Sequence, residues 1–326
     1  MDSPEEYRNF VVPDGACLLG DYHLLRGDIA LLAGPPGVGK SRAAIALAVC
    51  GASRISWFGF PVHQKLRTVI LQTENGKIRL HLEINEIGHE IDDCVWISEP
   101  PECGLAFHSA AFRDAVKQII DQLKPDLVIF DPWNGIAMSE KQRDIAEAFK
   151  WIRTTIPQSL QSPAILIVAH TRKPRADERT CGRALLNNVV GSYMLVSVPR
   201  SVFVLQHASD DTNEDRIVFT CVKNNNGLLG DSSAWTRTAG GIFEPVLNFD
   251  WESFSQAKDS KIDLWRSIPE IIAELGGEMA RASLVIELVN RFKVKNRCAY
   301  NWILRAAERS LIHFDKTKQV YYVNRH

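Results

Sequence analysis

The sequence lacks the charge imbalance of a dedicated polyanion binder: 38 Lys and Arg face 39 Asp and Glu, for a formal net charge of -1. The total argues neither for nor against nucleic acid as a partner. Nor is there an organised cysteine set. Cys17, Cys50, Cys94, Cys103, Cys181, Cys221 and Cys298 are odd in number, scattered and without a C-x-x-C pair, which argues against a cysteine zinc site and fits a reducing compartment. No uninterrupted apolar run is long enough to cross a bilayer, and the opening Met1-Asp-Ser-Pro-Glu-Glu-Tyr7 has neither the basic nor the apolar part of a signal peptide. A cytoplasmic protein with no membrane partner is expected.

What the chain does have is size and an uneven distribution of charge. With 326 residues, 45% of them hydrophobic, it can bury one large core plus a small appended module. Residues 261–326 carry 12 Lys and Arg against 7 Asp and Glu, which leaves 26 against 32 in the rest. An acidic body therefore precedes a basic tail. The reading is an ATPase-sized domain over 1–250, a polar linker at 251–260 and a small domain at 261–326.

The body is organised around Gly34-Pro35-Pro36-Gly37-Val38-Gly39-Lys40-Ser41, which fits G-x-x-x-x-G-K-[ST]. Glycines at these positions let successive backbone N–H groups turn inward onto phosphate oxygens. Lys40 is placed to reach the β- and γ-phosphates and Ser41 to offer a hydroxyl to Mg²⁺. Arg42 opens a helix-forming run whose N-terminal end favours the same anion. The apolar Asp28–Ala33 run before the loop reads as a buried strand, so the motif has the strand–loop–helix context that it needs.

Further strands are expected at 67–73, 95–98, 124–131 and 163–169, alternating with helices at 76–88, 109–123 and 141–155. In the first of these helices Ile78, Leu82 and Ile84 are assigned to the buried side. This rhythm specifies a parallel sheet covered on both faces, with ligand bound beyond the strand carboxyl ends. Asp131, at such an end, is the candidate partner of Ser41 for Mg²⁺. Residues 171–191, with Arg172, Lys173, Arg175, Arg179 and Arg183, read as a polar loop. Strands at 201–207, 216–223 and 241–246 then suggest an antiparallel extension.

The tail reads as three helices (264–275, 281–292, 296–310) and a hairpin turning at Lys316, a winged-helix pattern. The third helix is expected to turn Arg297, Tyr300, Asn301, Arg305 and Arg309 outward and Ile303 and Leu304 inward. With Lys316 and Lys318 on the wing, that surface suits duplex DNA, and a protein-binding role is the alternative.

This order of parts resembles the RecA-like ATPases, most closely the hexameric helicases of the plasmid RepA and DnaB type, over roughly residues 15 to 250. The resemblance implies an α/β domain with a mostly parallel sheet that binds ATP and Mg²⁺. It implies that Glu74, in Leu71-Gln-Thr-Glu74, is the base that deprotonates the attacking water, and that His170 senses the γ-phosphate. Arg200 resembles the arginine finger of RepA-like rings. Lys223 resembles the lysine of the DnaB-type Lys-x-Arg-x-Gly finger, although Asn225 stands where that pattern has arginine. Fingers acting in trans imply a head-to-tail ring, a hexamer in that family, with the 171–191 loop facing single-stranded DNA in its channel. An ATP-dependent DNA motor is the expected function. An ATP-switched DNA-binding regulator or recombination mediator without unwinding activity is the alternative.

Overall fold

The computed structural model of the chain describes residues 2–87, 90–133, 136, 141–172, 180–191, 193–209, 215–238, 241–255, 263–292 and 294–323. The chain forms two compact units, the first ending at Phe249 and the second beginning at Asp250.

The first unit starts with α1 (Pro4–Asn9), whose N-terminus is closed by reciprocal hydrogen bonds between Ser3 and Glu6. The hairpin β1 (Cys17–Leu19) and β2 (Leu24–Leu25) follows. β3 (Ile29–Gly34) leads through the glycine loop into α2 (Lys40–Ser53). The alternation continues with β4 (Thr68–Gln72), α3 (Lys77–Asn85), β5 (Val95–Ile97) and α4 (Ala110–Leu123). β6 (Leu127–Asp131), α5 (Gln142–Thr155) and β7 (Ala164–His170) complete it. After α6 (Met194–Ser197) come β8 (Ser201–His207), β9 (Arg216–Asn224), β10 (Ser233–Arg237) and β11 (Phe243–Pro245).

Nine of these strands make one sheet in the order β11-β10-β9-β8-β3-β7-β6-β4-β5. Pairing is parallel from β8 to β5 and antiparallel from β8 out to β11. The fold is α/β with a mostly parallel sheet, as expected. Strand residues alternate between two cores, as a sheet covered on both faces requires. Ala30 and Leu32 pack with α2 on one side, and Ile29 and Leu31 pack with α4 and α5 on the other. Because β7 lies between β3 and β6, the glycine loop, His170, Asp131 and the chain beyond Gln72 come out along one carboxyl edge.

An aromatic turn fixes the start of α2. The buried Trp57 donates from Nε1 to the carbonyl of Ala43 at 2.9 Å and meets Phe203 and Phe219 edge-on. The helix behind the glycine loop is thereby tied to strands of the antiparallel extension.

The second unit contains α7 (Trp251–Ser255), a 3₁₀ turn over Asp263–Ser267, α8 (Ile268–Glu274), β12 (Glu278–Ala280) and α9 (Arg281–Phe292). α10 (Asn296–Glu308), β13 (His313–Asp315) and β14 (Val320–Tyr322) follow. Three helices and a small antiparallel sheet of order β12-β14-β13 enclose Ile268, Ile272, Leu284, Leu288, Trp302 and Tyr321.

Several expectations need correction. α3 leaves Ile78 80% and Leu82 55% exposed and buries Glu83 instead, with only Ile84 packed against the core. The extension has a strand more than expected, β10, which pairs with both β9 and β11. The 171–191 stretch is not all loop: Gly182–Asn188 is a 3₁₀ helix that buries Leu185 and Asn188. α7 falls in the expected linker and buries Phe254. The hairpin of the second unit gains a third strand, β12. Finally, Leu304 is 38% exposed, whereas Ile303 is 1% exposed.

The last contrast gives a stability prediction. Ile303→Ala should cost about 2–5 kcal/mol, and Leu304→Ala should fall within about 0.5 kcal/mol of the parent. Urea unfolding followed by tryptophan fluorescence measures both, and similar losses for the two would mean that α10 is rotated from this orientation.

Candidate functional site

The glycine loop closes on itself in this structure. Gly39 is the residue before α2 and adopts φ +94°, a left-handed conformation that favours glycine. At Gly34 the constraint is space, since a Cβ there would lie 2.9 Å from Val38 Cγ1 and 3.0 Å from the Leu205 carbonyl. Pro35, Pro36, Gly37 and Val38 form the span between them, and Lys40 folds back to donate from Nζ to the Pro35 carbonyl at 3.0 Å. Burial pushes the Lys40 ammonium below its ordinary value, opposed by the charges of Asp131 and Glu74.

Asp131 at the tip of β6 is 5% exposed. Burial pushes its carboxyl up to about 6, and nearby Glu74 and Glu83 push the same way. The Ser41 hydroxyl, hydrogen-bonded to it, and the Lys40 charge oppose them. One carboxylate and one hydroxyl facing a phosphate cradle suit Mg²⁺, which takes a few protein oxygens and completes its shell with phosphate and water. Among the described residues, no group of three or more His, Cys, Asp or Glu could hold a metal by itself.

Glu74 is exposed just beyond β4, and a buried side chain that sequence reasoning passed over positions it. Gln72 Oε1 accepts from the backbone N–H groups of Glu74 (3.1 Å) and Asn75 (2.7 Å), while its Nε2 donates to the carbonyls of Asn75 and Ser98. The Thr73 N–H donates to the Asp131 carbonyl at 3.1 Å, so the segment carrying Glu74 is also tied to the end of β6. His170 ends β7 between these groups. Burial and the Lys40 charge hold its imidazole below the ordinary histidine value, against the pull of Glu74. Its Nδ1 is buried without a hydrogen-bond partner, an unmet need beside a phosphate cradle. The fold thus brings Lys40, Ser41, Glu74, Asp131 and His170 together.

Arg200 and Lys223 lie elsewhere. The Arg200 N–H donates to the carbonyl of Ile29, at the opposite end of β3 from the loop. At the usual rise per residue that is about 16 Å along the strand from Gly34, too far for Arg200 to serve its own glycine loop. Lys223 is not a free cation: its Nζ donates to the carbonyls of Val196 (2.9 Å), Ser197 (2.9 Å) and Pro199 (2.6 Å). An ammonium has three N–H donors, so the expected finger role of Lys223 is corrected to a brace across the end of α6.

Arg237 is a second side chain that sequence reasoning missed. It closes β10 and donates from Nη2 to the carbonyls of Gly37 (3.3 Å) and Val38 (2.8 Å). Arg42 reaches the other way, donating from Nη2 to the Thr238 carbonyl. The only available signal was the strand that carries Arg237, a short Ser-Ala-Trp-Thr-Arg run without a long apolar stretch.

The expected nucleic-acid residues divide. Lys173, Arg175 and Arg179 lie outside the described residues. Arg172 is part-buried and donates to Asn188 Oδ1 at 2.9 Å, so it is a structural link rather than an exposed cation. Arg183 is exposed beside a cavity of about 560 Å³, together with Asn187, Tyr193, Asn224 and Asn225. In the second unit Arg297, Tyr300, Arg305 and Lys316 are exposed. Arg305 lies over Trp265, and Lys318 pairs with Glu278 at 3.0 Å.

Comparison with known proteins adds a family. A model described as an AAA domain matches residues 5–176, a span that contains Lys40, Glu74, Asp131 and His170 but not Arg200, Lys223 or Arg237. No curated protein sequence matches the chain. Among solved structures, a KaiC-like protein of the hyperthermophilic archaeon Pyrococcus horikoshii is similar at a TM-score of 0.47 and 17% identity, over 69% of this chain and 94% of that one. No described helix is long and apolar enough to cross a membrane.

The raised Asp131 carboxyl fixes a sign. With its folded value near 6 and an ordinary value of 3.8, ionised Asp131 opposes folding above pH 6, and acidification relieves that cost. Asp131→Asn should therefore stabilise the nucleotide-free protein at pH 7.5 by about 1–3 kcal/mol, and the gain should vanish as the pH falls towards 4. Thermal unfolding across that range measures it; a loss of stability at pH 7.5 would contradict the assignment.

Proposed function

We propose, from the premise that the chain belongs to the AAA domain family, that it is an ATP-dependent DNA motor whose active sites are completed between copies of the chain. Nucleotide binding follows from the family, and the finer reading rests on residues. Lys40 and the loop amides would hold the phosphates, Ser41 and Asp131 would hold Mg²⁺, Glu74 would take a proton from the attacking water, and His170 would contact the terminal phosphate. When bound, Mg²⁺ offsets charge on the transferring phosphoryl group.

The observation that carries self-association is the position of Arg200. It is exposed at the strand end opposite the glycine loop, which supports a role in a neighbour's site rather than in its own. A heterologous contact of this kind closes into a ring or continues as a helix, and a six-membered ring is the proposed assembly.

DNA is the proposed polymer for two reasons. In the second unit, the succession α8, β12, α9, α10, β13, β14 supports reading it as a winged helix, with Arg297 and Tyr300 exposed on α10 and Lys316 on the turn. In the first unit, the cavity beside Arg183 presents the Tyr193 ring, 80% exposed, among side-chain amides. An exposed aromatic beside a cation suits the bases of a single strand. Replication of a mobile element is the proposed setting.

The decisive measurement is ATP turnover with and without single-stranded DNA, with oligomer mass recorded in the same buffers. Glu74→Gln and Arg200→Ala should each lower turnover about 10³-fold or more. Mixing the two inactive variants should restore about a quarter of the sites, because some interfaces then join an intact Glu74 to a neighbour's intact Arg200. No recovery on mixing would remove the shared site. Turnover indifferent to DNA, with ATP-dependent binding of duplex, would favour the regulator instead.

A further inference from the structure

We propose that Arg237 and Arg42 form a nucleotide-binding pair that engages the phosphates common to ATP and ADP, and that through Arg237 the antiparallel extension of the sheet answers to nucleotide occupancy. This rests on the reading of the glycine loop as a nucleotide site and assigns a residue outside the motif to it.

The two guanidinium groups meet at the loop from different parts of the chain. Arg237, the last residue of β10, reaches over Gly37–Gly39; a Cβ on Gly39 would lie 3.2 Å from its Nε and 3.3 Å from its Nη2. Arg42 belongs to the first turn of α2 and holds the carbonyl of Thr238, the residue after Arg237. The loop and the end of β10 are thus clasped in both directions.

The clasp is incomplete. Nε of Arg42 and Nε of Arg237 are both buried without a hydrogen-bond partner. A buried charged donor left unpaired is among the costlier local defects. The charges also oppose each other: burial and Arg42 both disfavour the Arg237 cation. The carboxylate that answers it is Asp215, 3.7 Å away and 72% exposed, which is weak compensation. Two unpaired cationic N–H groups, converging on a loop whose amides already favour anions, call for a ligand with several negative oxygens, and a di- or triphosphate has them.

The charges around each group also bear on which phosphates the pair would meet. The acids and the histidine around the terminal-phosphate position, Glu74, Asp131 and His170, interact electrostatically with Lys40. The charged partners of Arg237 are Asp215 and Arg42 instead. The pair thus has different charged partners from the group proposed to act on the γ-phosphate, which fits a role toward the phosphates that ATP and ADP share.

The test is the affinity of the full chain for ATP and for ADP by calorimetry, with Arg237→Gln, Arg237→Lys and Arg42→Gln compared with Lys40→Ala. Arg237→Gln should weaken ATP and ADP together by about 10- to 100-fold, leaving their ratio within twofold of the parent, and Arg237→Lys should recover part of the loss. In turnover, KM should rise while kcat stays within threefold. Thermal unfolding without nucleotide should change little, because the two Nη2 hydrogen bonds that the substitution removes are offset by the loss of a cation whose buried Nε lacks an acceptor. Should Arg237→Gln fold poorly, Arg42→Gln carries the same prediction for the two affinities. Unchanged affinities, or a loss confined to ATP, would overturn the proposal. If Lys40→Ala also binds both nucleotides normally, the reading of the loop itself fails; if Lys40→Ala alone loses them, only the pairing does.

Discussion

A carboxylate buried where its surroundings disfavour its charge is the constraint on which the site depends. Asp131 sits at the end of a central strand with 5% exposure and with Glu74 and Glu83 adding negative charge. Glu83 is itself buried at 7%, with Arg79 3.6 Å away. The nearest answer, Lys40, is folded onto a loop carbonyl and held down by burial. On the other side of the loop the imbalance reverses, since Arg42 and Arg237 bring cationic donors that lack acceptors. A divalent cation alone would satisfy the acids and worsen the arginine side; a polyanion alone would do the opposite. Both halves are balanced only when metal and phosphates arrive together.

The same contrast explains which parts of this site were legible in the sequence. The glycine loop, Asp131 and Glu74 are local in origin: each is a short word at the end of an apolar strand, and the parallel order of the strands converts sequence position into a place on the carboxyl edge. Gln72 and Arg237 act through contacts that no spacing records. Gln72 looks like an ordinary strand residue until its amide is seen to hold the backbone on both sides of Glu74. Arg237 meets Gly37 across 200 positions of chain, from a strand whose residues Ser233 to Arg237 offer little apolar alternation.

Helix faces show a related limit. The long helices α4 and α5 have apolar stripes that place Val116 and Ile145 in the core without ambiguity. α3 has nine residues, and its four aliphatic positions do not fix a face when a buried Glu83 can be matched by Arg79 one turn away. In α10, Ile303 and Leu304 are adjacent and therefore about a quarter-turn apart. The packing of Trp302 and Ala306 decides which of them goes inward.

Arg200 and Lys223 illustrate how one sequence resemblance can divide into two physical roles. Lys223 closes the end of α6 and is spent there. The turn after it, in which Asn225 replaces the arginine of the resembled pattern, is held by side-chain amides: Asn224 Oδ1 accepts from the Asn226 N–H, and Asn226 Nδ2 donates to Asp28 Oδ2 at 2.9 Å. The Asn225 N–H in turn donates to the Arg200 carbonyl at 2.9 Å. Asp28, which burial pushes above its ordinary carboxylate value, is partly relieved by the charge of Arg200. The turn that resembles a finger therefore works as a bracket, fixing the backbone and electrostatic setting of Arg200 while its own lysine is occupied. An exposed guanidinium on a backbone held by that bracket, at the strand end remote from its own glycine loop, fits the proposed role in a neighbour's site.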